Sequence, residues 1–203
     1  MATMTTYKLF PDKLGGTNSS NFIGNYGELF YDSTTGFLRR SDGVTPGGEL
    51  LNMIGRQGYC GAFFDTTTQT NALPINKVSF NNSYISDGIS IVDGTKITLA
   101  HSGRFNIQFS LQLDKSDSGN DDVELWLLRN GEAGPFTNTK FTLLGNNAKG
   151  VAAWNFVVEE PAGTYIELAW HSADAAVVLH YEDAKTNPVR PAIPSAIVTV
   201  TQV

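Results

Sequence analysis

Three groups of residues in this chain have types and spacings that could do chemistry. The densest is the run Asp114-Lys-Ser-Asp-Ser-Gly-Asn-Asp-Asp122, in which Asp117, Asp121 and Asp122 offer the hard oxygen ligands that Ca²⁺ gathers from loops. The spacing is not that of an EF-hand, and a solvated acidic loop explains the same residues, so the three aspartates are weak metal candidates. The histidines His101, His171 and His180 are far apart, and none sits in a His-x-x-x-His or Glu-x-x-His spacing that would turn two ligands to one face. Structural or surface positions are expected for them. Glu159 and Glu160 are adjacent, and neighbours in a strand point to opposite sides, which makes a poor acid and base pair. No catalytic residue and no cofactor is expected, and the chain reads as non-enzymatic.

The aromatic residues are the third group. Trp126, Trp154 and Trp170, with Tyr165 and Tyr181, could stack on sugar rings. However, Trp154 and Phe156 would share one strand face, and Ile166, Leu168 and Trp170 another, which favours a core or a subunit axis over an open site. Trp126, Trp154 and Tyr181 are therefore expected in the core or on a subunit axis. A glycan, if bound, is expected at the loops at one end of the fold.

These residues need strands to position them. From Arg104 to Leu113 apolar and polar side chains alternate without a break, so Phe105, Ile107, Phe109, Leu111 and Leu113 should enter a core while Arg104, Asn106, Gln108, Ser110 and Gln112 stay outside. Further strands are expected at 60–66, 77–80, 89–92, 96–99, 123–128, 136–144, 151–159, 164–170, 176–181 and 196–202, separated by turn residues such as Asp93-Gly94 and Asn130-Gly131. The segment Asn187-Pro-Val-Arg-Pro-Ala-Ile-Pro194 should be an extended, polyproline-like crossing. About ten short strands without a long helical pattern predict an all-β, two-sheet jelly-roll sandwich.

Composition agrees with that architecture. The 203 residues suit one sandwich plus a small appendage, only 17% are charged, and glycine occurs 20 times. Fourteen Lys and Arg against twenty Asp and Glu give a formal charge of −6 with no basic cluster, which argues against a nucleic-acid partner. Cys60 is the only cysteine, so no intrachain disulfide can form, and a buried thiol is expected. The N-terminal stretch has no signal-peptide pattern and no segment long enough to insert into a membrane, so assembly in a cytoplasm is expected.

Residues 1–20 look like an extended arm, and 27–40 like a hairpin too small to bury a core alone. The stretch Gly27-Glu-Leu-Phe-Tyr-Asp-Ser-Thr-Thr-Gly-Phe-Leu-Arg-Arg-Ser-Asp-Gly-Val-Thr-Pro-Gly-Gly48 resembles a hairpin module near the N-termini of bacteriophage tail-fibre and tropism-determinant proteins. That resemblance implies an attachment module, for which Tyr26, Leu29, Tyr31, Asp32, Phe37, Leu38, Asp42 and Pro46 are the candidate residues. The segments His101–Ser110, Asp122–Gly131, Val151–Phe156 and Asn187–Ser195 resemble a domain recurrent at the C-termini of phage virion proteins, itself similar to the tumour-necrosis-factor jelly roll.

The two resemblances imply a homotrimer on a virion, with residues 1–57 as arm and hairpin attachment module, 58–203 as jelly-roll domain, and Trp126, Trp154 and Tyr181 as the expected contacts of the trimer interface. Its expected partners are other virion proteins, gripped through the arm, and a host cell-surface glycan. A tail-fibre or receptor-binding role is the first expectation and a capsid decoration protein that stabilises the shell is the alternative. A depolymerising enzyme is disfavoured by the missing acid and base pair and the missing β-helix repeats.

Overall fold

The computed structural model describes residues 21–32, 37–51 and 58–203, and the chain divides into two compact units, Met1–Gln57 and Gly58–Val203. The expected arm at 1–20 and the hairpin turn at 33–36 lie outside the described residues, as do residues 52–57.

The first unit holds β1 (Leu29–Asp32), β2 (Phe37–Arg40) and β3 (Glu49–Leu50) in one antiparallel sheet of that order. The third strand extends the hairpin that the sequence predicts. It is brought back by a turn built on Asp42, whose Oδ1 accepts from the amides of Val44 at 2.9 Å and Thr45 at 2.7 Å while its Oδ2 accepts from Thr45 Oγ1 at 2.6 Å. Arg39 then donates to the carbonyls of Gly47 and Gly48, tying the turn to β2. Gly48 has φ +57, and a Cβ there would lie 2.5 Å from the Arg40 carbonyl oxygen, so only glycine fits. Phe30 is buried edge-on to Phe22, with ring centroids 4.8 Å apart.

The second unit holds β4 (Cys60–Asp65), β5 (Gln69–Thr70), β6 (Asn76–Lys77), β7 (Asn82–Asp87), β8 (Ile89–Val92), β9 (Lys96–Leu99), β10 (Gly103–Lys115) and β11 (Asp121–Arg129). It continues with β12 (Glu132–Ala133), β13 (Thr139–Leu143), β14 (Lys149–Glu160), β15 (Tyr165–Ser172), β16 (Val177–Leu179), β17 (Lys185–Thr186), β18 (Val189–Arg190) and β19 (Ala196–Gln202). One sheet runs β5-β16-β10-β19-β4-β7, with β14 on the free side of β10. The facing sheet runs β12-β11-β15-β9-β8, with β13 added to β11 and β6 to β15. The main strands β4, β9, β10, β11, β14, β15 and β19 fall alternately in one sheet and the other, which is the winding of a jelly roll. None of the described residues forms an α-helix, and among them no helix is long and apolar enough to cross a membrane.

The alternation in β10 is the organising signal, and the structure honours it. Phe105, Ile107, Phe109, Leu111 and Leu113 are all buried, against Val123, Leu125 and Leu127 of β11 and Ile166, Leu168 and Trp170 of β15. Each such side chain contributes about 2 kcal/mol through burial, and through them β10 packs its own sheet against the facing one.

Several elements depart from the sequence reading. β7 was not expected, because Asn-Ser-Tyr-Ile-Ser-Asp has no apolar alternation; all six residues are exposed and the strand is held at a sheet edge by pairing with β4. The strand expected at 136–144 starts only at Thr139, since Phe136 adopts φ +61 in the preceding loop and is fully exposed. The proline-rich segment is not an extended crossing. Val189–Arg190 folds back on Lys185–Thr186 as a hairpin, and a bridge between Glu182 and Ile193 closes its base. Cys60 is half-buried rather than buried, because it opens β4 on the outer side of its sheet.

Candidate functional site

The widest surface feature of the second unit is the outer face of the β10 sheet, and the strand registers fix its composition. The side chains outside the core on β10 are Asn106, Gln108, Ser110 and Gln112. Gln108 lies opposite Asn155 of β14 on one side and Thr199 of β19 on the other, and Thr199 lies opposite Ala62 of β4, which lies opposite Ile85 of β7. One row across five strands is thus amide, amide, hydroxyl, methyl and aliphatic. The next row is Ala153, Ser110, Ile197 and Phe64, with the Tyr84 ring 5.1 Å from Phe64.

Charge appears only at the margins of this face. Arg104 pairs with Glu159 at 3.2 Å at one end, and Lys149 with Asp114 at 2.5 Å at the other. Between them large apolar groups stand in solvent, with Tyr84 83% exposed, Val157 62% and Val151 60%. Among the described residues β14 pairs only with β10, so within them its far edge presents unpaired backbone groups. An uncharged face of this breadth beside an open edge has the composition of a protein contact surface.

The aromatic residues expected at a trimer interface do not share a surface. Trp154 faces inward, edge-on to Phe109 at 4.9 Å and near Phe141 at 6.5 Å. Trp126 lies half-buried on the outer side of the other sheet, opposite Ala169. Tyr181 follows β16 and donates its hydroxyl to Asp183 at 3.1 Å, which raises its pKa. Trp170 is buried in the core and Tyr165 lies under Lys96, 5.1 Å from Nζ to ring centroid.

In the acidic loop the structure brings together Asp117 and Asp121 but joins them to Asp174 rather than Asp122. Asp122 pairs instead with Lys140 at 2.6 Å and accepts from Thr142 at 2.7 Å, and the Lys140 contact is the main cause of its lowered pKa. The carboxylate cluster already holds a cation, the buried ammonium of Lys115, which contacts Asp121, Asp117 and the Gly119 carbonyl. Sequence reading singled out the aspartates and passed over Lys115, although its inward parity on β10 marks it.

The histidines stay apart. His101 stacks on Tyr59 with centroids 3.7 Å apart, His171 lies on β15 opposite Glu124, and His180 donates its amide to Gln112. Glu159 is exposed on Arg104 while Glu160 is buried and bound to Arg129 at 2.7 Å, so the two carboxylates face different surroundings.

In the first unit Tyr26 is 81% exposed and Tyr31, Pro46 and the neighbouring Ile23 and Val44 also face solvent. Leu29 and Leu38 are half-buried, Asp32 is buried 3.8 Å from Arg39, and Asp42 builds the turn described above. Phe37 opens β2.

Solved structures share the second unit's arrangement. Murine APRIL, of the tumour-necrosis-factor family, superimposes with a TM-score of 0.50 at 9% identity, over 72% of this chain and 100% of that one. The fold is a tumour-necrosis-factor-like jelly roll. The globular domain of zebrafish complement 1qA protein matches with a TM-score of 0.47 at 11% identity, covering 72% of this chain and 98% of that one. No protein-family model matches the chain, and no curated protein matches it.

Proposed function

We propose that this is a non-enzymatic, homotrimeric surface protein of a bacteriophage virion, of the tail-fibre or receptor-binding type. The jelly roll of the second unit is presented outward and the first unit, with its preceding arm, grips other virion proteins. The observation that carries the trimer is the outer face of the β10 sheet, whose central rows hold no charge and leave Val151, Val157, Tyr84 and Ile197 in solvent. Burying that face between copies costs no ion desolvation and covers the open β14 edge. The virion setting rests on the sequence resemblance of both segments. It is supported by a first unit whose exposed Tyr26, Tyr31, Ile23 and Val44 are more apolar surface than three short strands ordinarily leave uncovered.

A trimer displays three copies of any receptor site, and linkage of the three converts weak contacts with a cell-surface glycan into firm attachment. Two measurements test the reading. Light scattering on the purified chain at micromolar concentration should give the mass of three chains, and the mass of one would overturn the trimer. Gold-labelled antibody against the second unit should mark the tail or its fibres on intact particles. Gold spread over the head would replace receptor binding with capsid decoration.

A further inference from the structure

A cleft of about 340 Å³ opens between the two sheets where β7 and β8 leave each other. Its origin is an inversion of the usual sandwich pattern. Ser83 lies opposite Phe63 and Ser86 opposite Gly61, and those β4 residues face the core, so both serines occupy positions that normally carry apolar side chains. Both are exposed. The chain passes from one sheet to the other through Gly88 at φ +67, and the register of β7 on β4 shifts between Ala62 and Phe63. The edges therefore splay rather than close, and the floor is formed by Phe63 and Phe80.

The polar groups around that floor are partly spent in a way that leaves a defined set free. Asn81 Oδ1 accepts from the Thr66 amide at 3.1 Å and from Asn82 Nδ2, which fixes the side chain and leaves its own Nδ2 hydrogens available. Ser86 Oγ donates to the Ile89 carbonyl at 2.8 Å and Ser83 Oγ to the Ile85 carbonyl at 3.3 Å, so each keeps lone pairs for an incoming donor. No charged side chain lines the cleft. A phosphate, a carboxylate or an ammonium would find no side chain of opposite charge there.

We infer that this cleft binds one unit of an uncharged saccharide. Ring hydroxyls both donate and accept, which matches the free Asn81 amide and the serine lone pairs, and the half-buried Ile91 in the lining offers an apolar contact to the ring's C–H groups. The cleft is within the size range of small-ligand sites. Every lining residue comes from one chain, so binding does not need the trimer. The inference rests on the receptor-binding reading only in assigning the saccharide to a cell surface.

The test is saturation-transfer NMR on the full chain with millimolar methyl glycosides of glucose, galactose, mannose and N-acetylglucosamine. At least one should give transfer from the protein, and Ser83→Leu should abolish it. That variant places an apolar group at an inward position, so its thermal unfolding should stay cooperative, and this transition is measured beside the signal to separate loss of binding from loss of fold. Phe136→Ala, at an exposed aromatic in the loop before β13, should leave the signal unchanged. No transfer to any of the four, or transfer that survives Ser83→Leu, overturns the site. Gold over the head with the signal intact overturns the receptor reading and supports the site, whereas gold on the tail without signal does the reverse.

Discussion

Lys115 Nζ is buried against the Asp121 carboxylate at the end of β10, 2.8 Å from the Gly119 carbonyl oxygen and 3.5 Å from Asp117 Oδ1. The ammonium is the cation around which the loop between β10 and β11 closes. It is raised above the ordinary lysine pKa, chiefly by its hydrogen bond to Asp121, with desolvation opposing. A raised lysine stabilises the fold fully below its ordinary value and ceases to do so only as pH climbs through the raised one. The loop should therefore hold constant stability from neutral pH to well into the alkaline range. Lys115→Met leaves the carboxylates facing each other and should lower Tm by roughly 5 °C or more, while Lys140→Met, at an exposed pair, should change it by about 1 °C or less. Thermal unfolding with Ca²⁺ and with a chelator should coincide for the unmodified protein, because the Lys115 ammonium already occupies the position against Asp117 and Asp121 that a metal ion would take.

Asp42 is the titrating group to watch in the first unit. Its hydrogen bonds from the Thr45 side chain first, then from the Thr45 and Val44 amides, hold the carboxyl down to about 2. A depressed carboxyl contributes stability above its ordinary value of 3.8 and loses that contribution as pH falls toward the depressed one. NMR titration of the carboxyl carbon should show a midpoint near the lower value, and the Val44 and Thr45 amides should exchange faster as it protonates. A midpoint in the ordinary aspartate range would mean that the turn at 42–45 does not form. Asp42→Ala should speed exchange at the same two amides at neutral pH.

The outer face of the β10 sheet makes the sharpest prediction about assembly. Ile197→Glu places a carboxylate among Ser110, Phe64 and Ala153, where no cation stands to meet it. In a free chain the new side chain is solvated and Tm should stay within about 2 °C. In an assembly that buries this face it must be desolvated, which should weaken association roughly a hundredfold or more. Light scattering should then give one chain, where the unmodified protein is expected to give three. Trp154→Ala should do the opposite, costing about 3 kcal/mol of stability by emptying the space beside Phe109 with little effect on mass.

These contrasts mark what the sequence could and could not disclose. Alternation along β10 is a local, two-residue signal, so the core strand, its neighbours and the jelly-roll winding were legible. The outer face is built from residues on five strands that meet only through register, and no window of sequence contains Gln108, Thr199 and Ala62 together. The same reason hid Asp174 from the acidic loop. Trp126, Trp154 and Tyr181 share size and aromaticity, but parity within each strand sends them to different surfaces, and parity depends on where a strand starts. β7 escaped because its inward positions are serines, and that departure from the rule is what opens the cleft.

Glu167 offers a test of how this fold tolerates a buried charge. It lies on β15 with no solvent exposure, 2.9 Å from Lys77 Nζ and 2.6 Å from Thr95 Oγ1. Lys77 itself is partly exposed and belongs to β6, which joins the sheet by only two residue pairs. Removing the lysine leaves a carboxylate with one hydroxyl partner in a water-poor site, so Lys77→Met should cost on the order of 3 kcal/mol. Replacing both partners removes the charge together with its desolvation penalty, and Lys77→Met with Glu167→Leu should recover most of that loss. Urea unfolding of the single and double variants gives the coupling directly. If the double variant is no more stable than Lys77→Met, the cost lies in the packing of β6 against β15 rather than in the stranded carboxylate, and the ion pair is not what fastens that strand.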